Sequence, residues 1–120
     1  MKKVYVAGLY SKNSIGEDAS VIGVLENIKN GLNMCGCLLE YGYAVFCPWL
    51  DFQYGLNPQY FIKKEMYKAN SMAWLEVSDA MLVISGVGLG TGVDKEIQRA
   101  IELKIPIFKT IHDLTKEVPC

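Results

Sequence analysis

The sequence alternates short, continuous apolar runs with longer stretches in which apolar residues recur at helical spacing. Continuous apolar runs bounded by glycine or proline are typical of buried strands in a parallel sheet. They predict strands at residues 3–8, 43–48 and 80–85, of which the last is the most apolar and belongs at the sheet centre. A fourth strand is predicted after Pro106, in the segment IPIFKTI.

Helices are predicted where apolar residues recur three and four positions apart, because that spacing places them on one face of a helix. Gly42 closes the first of these helices, as a glycine commonly does after a helix C-terminus. A second helix is predicted from Pro58 to about Val77, after an aromatic-rich loop at residues 49–57. The apolar stripe of the first helix consists of Val21, Leu25, Ile28, Leu32, Cys35 and Leu39, and that of the last of Val93, Ile97, Ala100 and Ile101.

The alternation of strands and helices predicts an α/β fold. Right-handed crossovers between these elements give a three-layer Rossmann/flavodoxin-like sandwich with a parallel sheet of four to five strands. The 120 residues suit one domain, residues 1–120, with its own core. Ligands of such sheets bind at the carboxyl ends of the strands. That edge would collect residues 8–11, 48–51, 85–96 and 110–113.

Charge and composition limit the kinds of partner that the protein is expected to bind. The formal net charge is −1 and the basic residues are scattered, so a nucleic-acid partner is not expected. The N-terminal apolar run is too short for a signal peptide or a membrane span, which predicts a cytoplasmic protein with no membrane partner. Cys35 and Cys37 are two apart on a predicted helix and face different directions. We therefore expect the cysteines to be buried reduced thiols, with no metal site.

A glycine-rich segment, SGVGLGTGVDKE at residues 85–96, joins the third strand to the last helix. The dinucleotide-binding fingerprint places its glycines after the first strand and an acidic residue at the end of the second. Neither condition holds here, and the Gly-Lys-Ser/Thr of a nucleoside triphosphate loop does not occur. The segment instead predicts a flexible turn into a helix N-terminus, with Thr91 as N-cap and Asp94 three residues on.

Glu96 falls in the second turn of this helix, at the border of its apolar stripe. A carboxylate there lies half-buried near the positive end of the helix, which favours its ionised form. An ionised, partly desolvated carboxylate facing a cleft can act as a nucleophile. Alternatively, Glu96 only complements the helix dipole, and the residues alone leave both interpretations open.

Four segments of the chain resemble the nucleoside 2-deoxyribosyltransferase-like superfamily, which includes the 2′-deoxynucleoside 5′-monophosphate N-glycosidases. The resemblance spans most of the chain in the same order. The segments are VYVAGLYS (4–11), ENIKNGL…LLEYGYAVFCP (26–48), WLEVSDAMLVI (74–84) and GTGVDKEIQRAIELKIPIF (90–108).

The resemblance implies a retaining attack on an N-glycosidic bond, without a metal or organic cofactor. Glu96 matches the glutamate nucleophile, since Gly92 and Ala100 match the residues around it. Tyr10 corresponds to the tyrosine after the first strand that orients this glutamate. The substrate, a nucleoside or nucleotide, is expected to contact Gly8, Ser11, Asp51, Gly90, Thr91 and Gly92.

Two positions depart from the superfamily pattern. Gly90 stands where a serine or aspartate often holds the 5′-group, although Thr91 and the amides of the glycine loop could bind an anion instead. Ser71 stands where the N-glycosidases have an aspartate that helps the base depart, and a serine is a poor proton donor. Asp51 and Asp113, on loops at the strand ends, could take its place, whereas Asp79 is interpreted as structural.

Three hypotheses follow for function. The first is an enzyme that cleaves or transfers the N-glycosidic bond of a nucleoside or nucleotide through Glu96. The second is a non-catalytic nucleotide-binding module with an incomplete active site. The third is structural: the aromatic residues after the second strand form an oligomer surface, and the protein binds no small ligand. These residues are Trp49, Phe52, Tyr54, Tyr60 and Phe61. The resemblance also implies a homodimer or higher homo-oligomer, because small members of this superfamily commonly complete their sites across a dimer.

Overall fold

The computed structural model describes residues 1–120. Its centre is a sheet of four parallel strands in the order β2-β1-β3-β4. The parallel α/β architecture predicted from the sequence is therefore confirmed, with four strands. The strands are β1 (Lys3–Ala7), β2 (Ala44–Phe46), β3 (Ala80–Val83) and β4 (Ile107–Phe108).

Five helices connect and cover these strands. Helices α1 and α5 cover one face of the sheet, and α3 and α4 cover the other. No helix of the structure has the length and apolar character needed to cross a membrane. The helices are α1 (Val21–Glu40), α2 (Asp51–Gly55), α3 (Lys64–Glu76), α4 (Gly92–Glu102) and α5 (Ile111–Glu117).

The residues of β1 point alternately to the two halves of the core. Val4 and Val6 pack with α1 and α5, whereas Tyr5 and Ala7 pack with α3 and α4. This alternation follows from the two-residue period of a strand. Because both faces are covered, all four side chains are buried.

Trp49 anchors the first half of the core. It lies in a short 3-10 turn, residues 48–50, and is only 2% exposed. A Cβ atom on Gly31 of α1 would overlap the Trp49 indole, so the helix needs glycine there to approach this turn. The indole Nε1 donates a hydrogen bond of 2.9 Å to the carbonyl oxygen of Leu9. Trp49 thereby links α1, the end of β2 and the end of β1.

Several element boundaries differ from the prediction. Pro58 does not begin a helix, because the Asn57 side chain accepts the amide of Gln59 at 3.0 Å and turns the chain, so α3 begins only at Lys64. The predicted loop after β2 contains the 3-10 turn and α2. The C-terminal residues form α5, whose N-cap Thr110 accepts the amide of Asp113 at 3.1 Å.

Only two of the six residues in the apolar stripe predicted for α1 are buried. Ile28 and Cys35 face the core as expected. The remaining members of the stripe are between 41% and 78% exposed, because the buried face of the helix is centred on the side of Gly31 and Leu38. The exposed members are Val21, Leu25, Leu32 and Leu39.

Two smaller predictions are also corrected. In α4, Val93 and Ala100 are buried, but Ile101 is 59% exposed. Of the four free cysteines, Cys35 and Cys47 are buried, whereas Cys37 and Cys120 are exposed. The prediction that all four thiols are buried was therefore wrong for Cys37 and Cys120.

Candidate active site at the carboxyl edge of the sheet

The candidate site lies where β1 and β3 diverge. The chain leaves β1 toward α1 on one face of the sheet and leaves β3 toward α4 on the other face. This divergence is the topological switch point at which open α/β sheets bind ligands. It places the loop after β1 beside the glycine-rich loop after β3.

Hydrogen bonds fasten these two loops together. The amide of Leu9 donates to Ser85 Oγ at 2.8 Å. A Cβ atom on Gly8 would lie 2.7 Å from Ile84 Cγ1 and 2.9 Å from the Trp49 ring. Gly8 therefore allows close packing of the loops at this edge. The Asn27 side chain also donates to the carbonyl oxygens of Tyr10 and Lys12 at 2.9 Å each.

Glu96 holds an enclosed carboxylate oxygen. The residue as a whole is partly exposed, but its Oε2 atom is buried and has no hydrogen-bond partner of good geometry. Burial raises the pKa of Glu96 to about 7, the nearby Tyr5 hydroxyl lowers the pKa, and the charge of Asp51 raises it further. The sequence predicted that the helix terminus would keep this group ionised, but desolvation is the larger effect.

Tyr5 is the tyrosine beside Glu96. Its side chain is fully buried, and its hydroxyl lacks a partner of good hydrogen-bond geometry. Burial raises the pKa of Tyr5, the charge of Glu96 raises it as well, and the Ser71 hydroxyl lowers it. Tyr5 and Glu96 therefore lie close enough to shift each other's pKa, although their hydrogen bond is not well aligned.

Aromatic packing fixes the Tyr5 ring. It stacks on Phe46 of β2 with ring centroids 5.3 Å apart, and Phe46 stacks in turn on Trp74 of α3 at 5.9 Å. Ser71, one turn before Trp74, is 8% exposed and is the one buried polar side chain of the core. The structure thus places Ser71 beside Tyr5, in the position where the resemblance expects an acid.

Asp51 and Tyr10 form the second part of the site. Asp51 is the first residue of α2, and its burial raises its pKa to about 6. Burial also raises the pKa of Tyr10, and the negative charges of Asp51 and Tyr67 raise it further. The sequence predicted that Tyr10 orients Glu96. In the structure, however, Tyr5 lies beside Glu96, and Tyr10 lies beside Asp51.

The glycine loop binds a carboxylate of its own chain. The amides of Gly88 and Gly90 donate to the two carboxylate oxygens of Asp94 at 2.8 Å and 2.7 Å. Thr91 occupies the N-cap position as predicted, but its hydroxyl does not cap the helix and lies 3.4 Å from the carbonyl oxygen of Gly86. A Cβ atom on Gly92 would meet nothing within 4 Å, so the space around it is open.

The remaining predicted residues lie at the rim of the same edge or outside the site. Ser11 is exposed and its carbonyl oxygen accepts the amide of Ala19. Asp113 is exposed in the first turn of α5. Asp79 accepts the amide of Lys3 at 2.8 Å at the amino end of β3, away from the site, which supports its structural interpretation.

A cavity of about 500 Å³ opens at this edge on the α1 side. Its floor is formed by the ends of β1 and β3, and three asparagine side chains of α1 line its wall. Glu96 does not line this cavity, because α4 lies on the opposite face of the sheet. The lining residues are Leu9, Ser14, Asn27, Asn30, Asn33, Met34, Ile84 and Ser85.

The sequence predicted Glu96 and Asp51 as site residues, and the structure brings both close to Tyr5, which the sequence had not singled out. Tyr5 was included in an apolar strand and counted as core. The two-residue period of that strand separates Tyr5 from Val4 and Val6. This period could have predicted that the Tyr5 side chain points to the opposite face of the sheet from Val4 and Val6, the face on which α4 packs.

Comparison with solved structures finds the same architecture in a 2-deoxyribosyltransferase from the psychrotolerant bacterium Bacillus psychrosaccharolyticus, described as a biocatalyst for nucleoside synthesis. The two structures superpose with a TM-score of 0.61 and 19% sequence identity. The match covers 91% of this chain and 75% of that one. The deoxyribosyltransferase-like fold expected from the sequence is thus confirmed. No protein-family model and no curated protein matches the sequence.

Proposed function

We propose that the protein cleaves or transfers the N-glycosidic bond of a nucleoside by a retaining mechanism with Glu96 as the nucleophile. The observation that carries this proposal is the enclosed Glu96 carboxylate beside the Tyr5 hydroxyl, at the edge where such sheets bind ligands. The fold shared with a solved 2-deoxyribosyltransferase supports a nucleoside as the small-molecule partner.

In the first step, one Glu96 oxygen forms a bond to C1′ of the sugar as the C1′–N bond breaks. The electron pair of the broken bond leaves with the base, and an oxocarbenium-like transition state separates the two events. Tyr5 favours the ionised form of Glu96 by donating toward its carboxylate, which offsets part of the cost of burial. The product is a glycosyl ester on Glu96.

In the second step, water or a second base attacks C1′ and releases Glu96. Two inversions at the same carbon give net retention. This chemistry uses carboxyl groups only and calls for neither a metal nor an organic cofactor. Gly8, Ser11, Gly90, Thr91 and Gly92 form the rim proposed to surround the sugar.

The glycine loop favours an unphosphorylated substrate. The two amides that could have received a phosphate, those of Gly88 and Gly90, already bind the Asp94 carboxylate. The negative charge of Asp94 would also repel a 5′-phosphate. No basic side chain contributes to the pKa shifts of Glu96, Tyr5 or Asp51, so positive charge is missing at the centre of the site.

We also propose that two copies of the chain associate through the exposed residues of the apolar stripe of α1. Large exposed apolar patches are uncommon on monomeric proteins and mark interaction sites. Leu25, Leu32 and Leu39 recur seven residues apart and are 48%, 41% and 58% exposed. This repeat matches the helical spacing of a self-complementary contact.

The test is a panel of 2′-deoxynucleosides, ribonucleosides and their 5′-monophosphates, incubated with the wild-type protein and with Glu96→Ala. We expect wild type to release free base, most efficiently from an unphosphorylated nucleoside, because Asp94 occupies the loop amides. The variant should lose at least about 10³-fold in rate, since removal of a catalytic nucleophile commonly costs this much or more. Base release is followed by chromatography.

Glu26→Gln, an exposed position on α1, is the matched control and should keep wild-type activity. Equal rates for wild type and Glu96→Ala would refute the role of Glu96. Tight calorimetric binding of a nucleotide that remains intact after prolonged incubation would instead identify a non-catalytic binding module. Ser71 in place of an acid is the observation that favours that alternative.

A further inference from the structure

We propose that Asp51 is the proton donor to the departing base, and thus supplies the acid that Ser71 cannot. The proposal rests on the glycosidic reaction proposed above for Glu96. It concerns a separate group on a separate element, because Asp51 begins α2 whereas Glu96 lies in α4.

The fold holds Asp51 firmly at the carboxyl edge of the sheet. Trp49, two residues earlier, is buried in the core and bonded to the carbonyl oxygen of Leu9, so the turn before Asp51 is attached to the loop after β1. Phe46, at the end of β2, stacks on Tyr5. Asp51 follows β2 and Glu96 follows β3, the two strands that flank β1, so both residues come after the carboxyl ends of neighbouring strands.

The charge of Asp51 acts on groups on both sides of β1. After burial, which is the largest cause, this charge contributes to the raised pKa of Glu96 and Tyr5 on one side and of Tyr10 on the other. Burial raises the pKa of Asp51 itself to about 6, well above an ordinary aspartate, so a protonated form is accessible near neutral pH.

Other acidic residues are worse placed. Asp79 lies at the opposite end of β3, where it accepts the amide of Lys3. Both carboxylate oxygens of Asp94 accept amides of the glycine loop. Asp113 is exposed in α5 and contributes to no pKa shift at Glu96. Asp51 remains as the half-buried carboxyl group that shares the site with the nucleophile.

The proton balance of the reaction closes with these two carboxyl groups. As the C1′–N bond breaks and its electron pair passes to the base nitrogen, that nitrogen takes the proton of Asp51. Glu96 meanwhile forms the C1′–O bond. In the second step water attacks C1′, its proton returns to the Asp51 carboxylate, and Glu96 leaves as a carboxylate.

The productive form carries one proton, on Asp51, with Glu96 ionised. The pKa values of about 6 and about 7 lie close together, so the two groups share that proton in this interval and titrate as a pair. The shared proton lies mostly on Glu96, whose pKa is the higher of the two even though the Tyr5 hydroxyl lowers it, so the productive form is the minor one of the two singly protonated forms. The pH profile of base release should therefore be bell-shaped.

A pair of substrates separates proton donation from every other role of Asp51. The base of 2′-deoxyadenosine needs a proton to depart, whereas the cationic base of 7-methyl-2′-deoxyguanosine departs as a neutral molecule without one. We expect Asp51→Asn to lose about 10²–10⁴-fold in kcat/KM on 2′-deoxyadenosine. Its loss on 7-methyl-2′-deoxyguanosine, corrected for spontaneous release, should be less than about 10-fold, because no acid is required.

Asp51→Glu and Asp113→Asn are the companion variants. Asp51→Glu keeps a proton donor and should recover part of the activity on 2′-deoxyadenosine, and Asp113→Asn should match wild type on both substrates. Unchanged rates in Asp51→Asn, or equal losses on both substrates, would overturn the assignment of Asp51 and leave Glu96 untouched. A wild-type protein that releases base from neither substrate would overturn the proposed function itself.

Discussion

At the scale of single residues, the site is governed by the cost of burying a charge. Glu96 and Asp51 both have raised pKa values because their carboxyl groups lose water at the edge of the sheet. The Tyr5 hydroxyl opposes this effect at Glu96 only in part. A buried acid with a pKa near neutrality is typical of functional sites, where the protein tolerates its energetic cost.

The raised pKa of Glu96 predicts that the protein loses stability as pH increases. The folded state binds this proton more tightly than the unfolded state, in which the pKa is close to 4.5. The resulting stabilisation is complete below pH 4.5 and is lost as pH rises through about 7. Glu96→Gln should therefore be more stable than wild type at pH 8, by up to about 3 kcal/mol.

Urea unfolding of wild type and Glu96→Gln at pH 5 and pH 8 measures this difference. The gap in free energy of unfolding should be small at pH 5 and large at pH 8. Glu26→Gln, an exposed position, should show no such gap. A Glu96→Gln protein that follows wild type at both pH values would show that Glu96 is solvated in solution.

Removal of the Tyr5 hydroxyl should change the titration of Glu96 without weakening the fold. Because this hydroxyl lowers the pKa of Glu96, which is the higher pKa of the pair, Tyr5→Phe should move the alkaline limb of kcat/KM to higher pH. The hydroxyl is buried without a well-aligned partner, so at pH 5, where Glu96 is protonated, its loss should leave the free energy of unfolding unchanged or slightly higher. Tyr10→Phe is the matched control. A shift of the limb in Tyr10→Phe alone would return the orienting role to Tyr10.

At the scale of elements, the site depends on how closely α1 approaches the turn after β2. Gly31 lets the helix backbone lie against Trp49, and Trp49 in turn fixes the segment that carries Asp51. Asp94 likewise ties the glycine loop to the first turn of α4. Elements distant from the carboxyl groups thus determine their positions.

Two glycines of α1 allow a matched comparison of packing. Gly31→Ala should destabilise the protein by about 1–3 kcal/mol, because its Cβ atom would overlap the Trp49 ring. Gly36→Ala, in the same helix, should stabilise it by about 0.5–1 kcal/mol, because that position has open space and alanine favours a helix. Urea unfolding followed by tryptophan fluorescence measures both. Equal effects at the two positions would contradict the contact between Gly31 and Trp49.

At the scale of the whole molecule, one sheet separates two halves of the core that differ in composition. The half beneath α1 and α5 contains Trp49 and the larger cluster of aliphatic side chains. The half beneath α3 and α4 contains Tyr5 and borders Glu96. Leu25, Leu32 and Leu39 on the outer side of α1 are exposed, and they form the surface proposed to contact a second copy.

Charged residues on this face should prevent association of two chains. Leu32→Lys together with Leu39→Lys should convert a dimer into a monomer, because the interface would then bury two charges per subunit. Sedimentation equilibrium measures the mass, and Glu26→Lys, an exposed polar position on α1, serves as the control. A wild-type protein that is monomeric at high concentration would refute this interface.

The order and type of most elements followed from the sequence because hydrophobic spacing is a local property. The strands β1, β2 and β3, the long helix α1 and the position of Glu96 in α4 were all predicted in this way. Predictions from hydrophobic spacing failed where a side-chain hydrogen bond or the packing of a helix decided the local structure. The Asn57 side chain turns the chain before α3. The spacing of apolar residues in α1 also did not indicate which of them face solvent.

By itself, the sequence determined a parallel α/β fold with a glutamate at the carboxyl edge of its sheet. The tertiary structure alone decided that Tyr5, rather than Tyr10, faces Glu96, and that Asp51 shares their environment. It also decided that Glu96 has a raised pKa. The reason is physical: desolvation and charge coupling depend on side chains from β1, α2, α3 and α4, which are far apart in the chain and meet only when the sheet has formed.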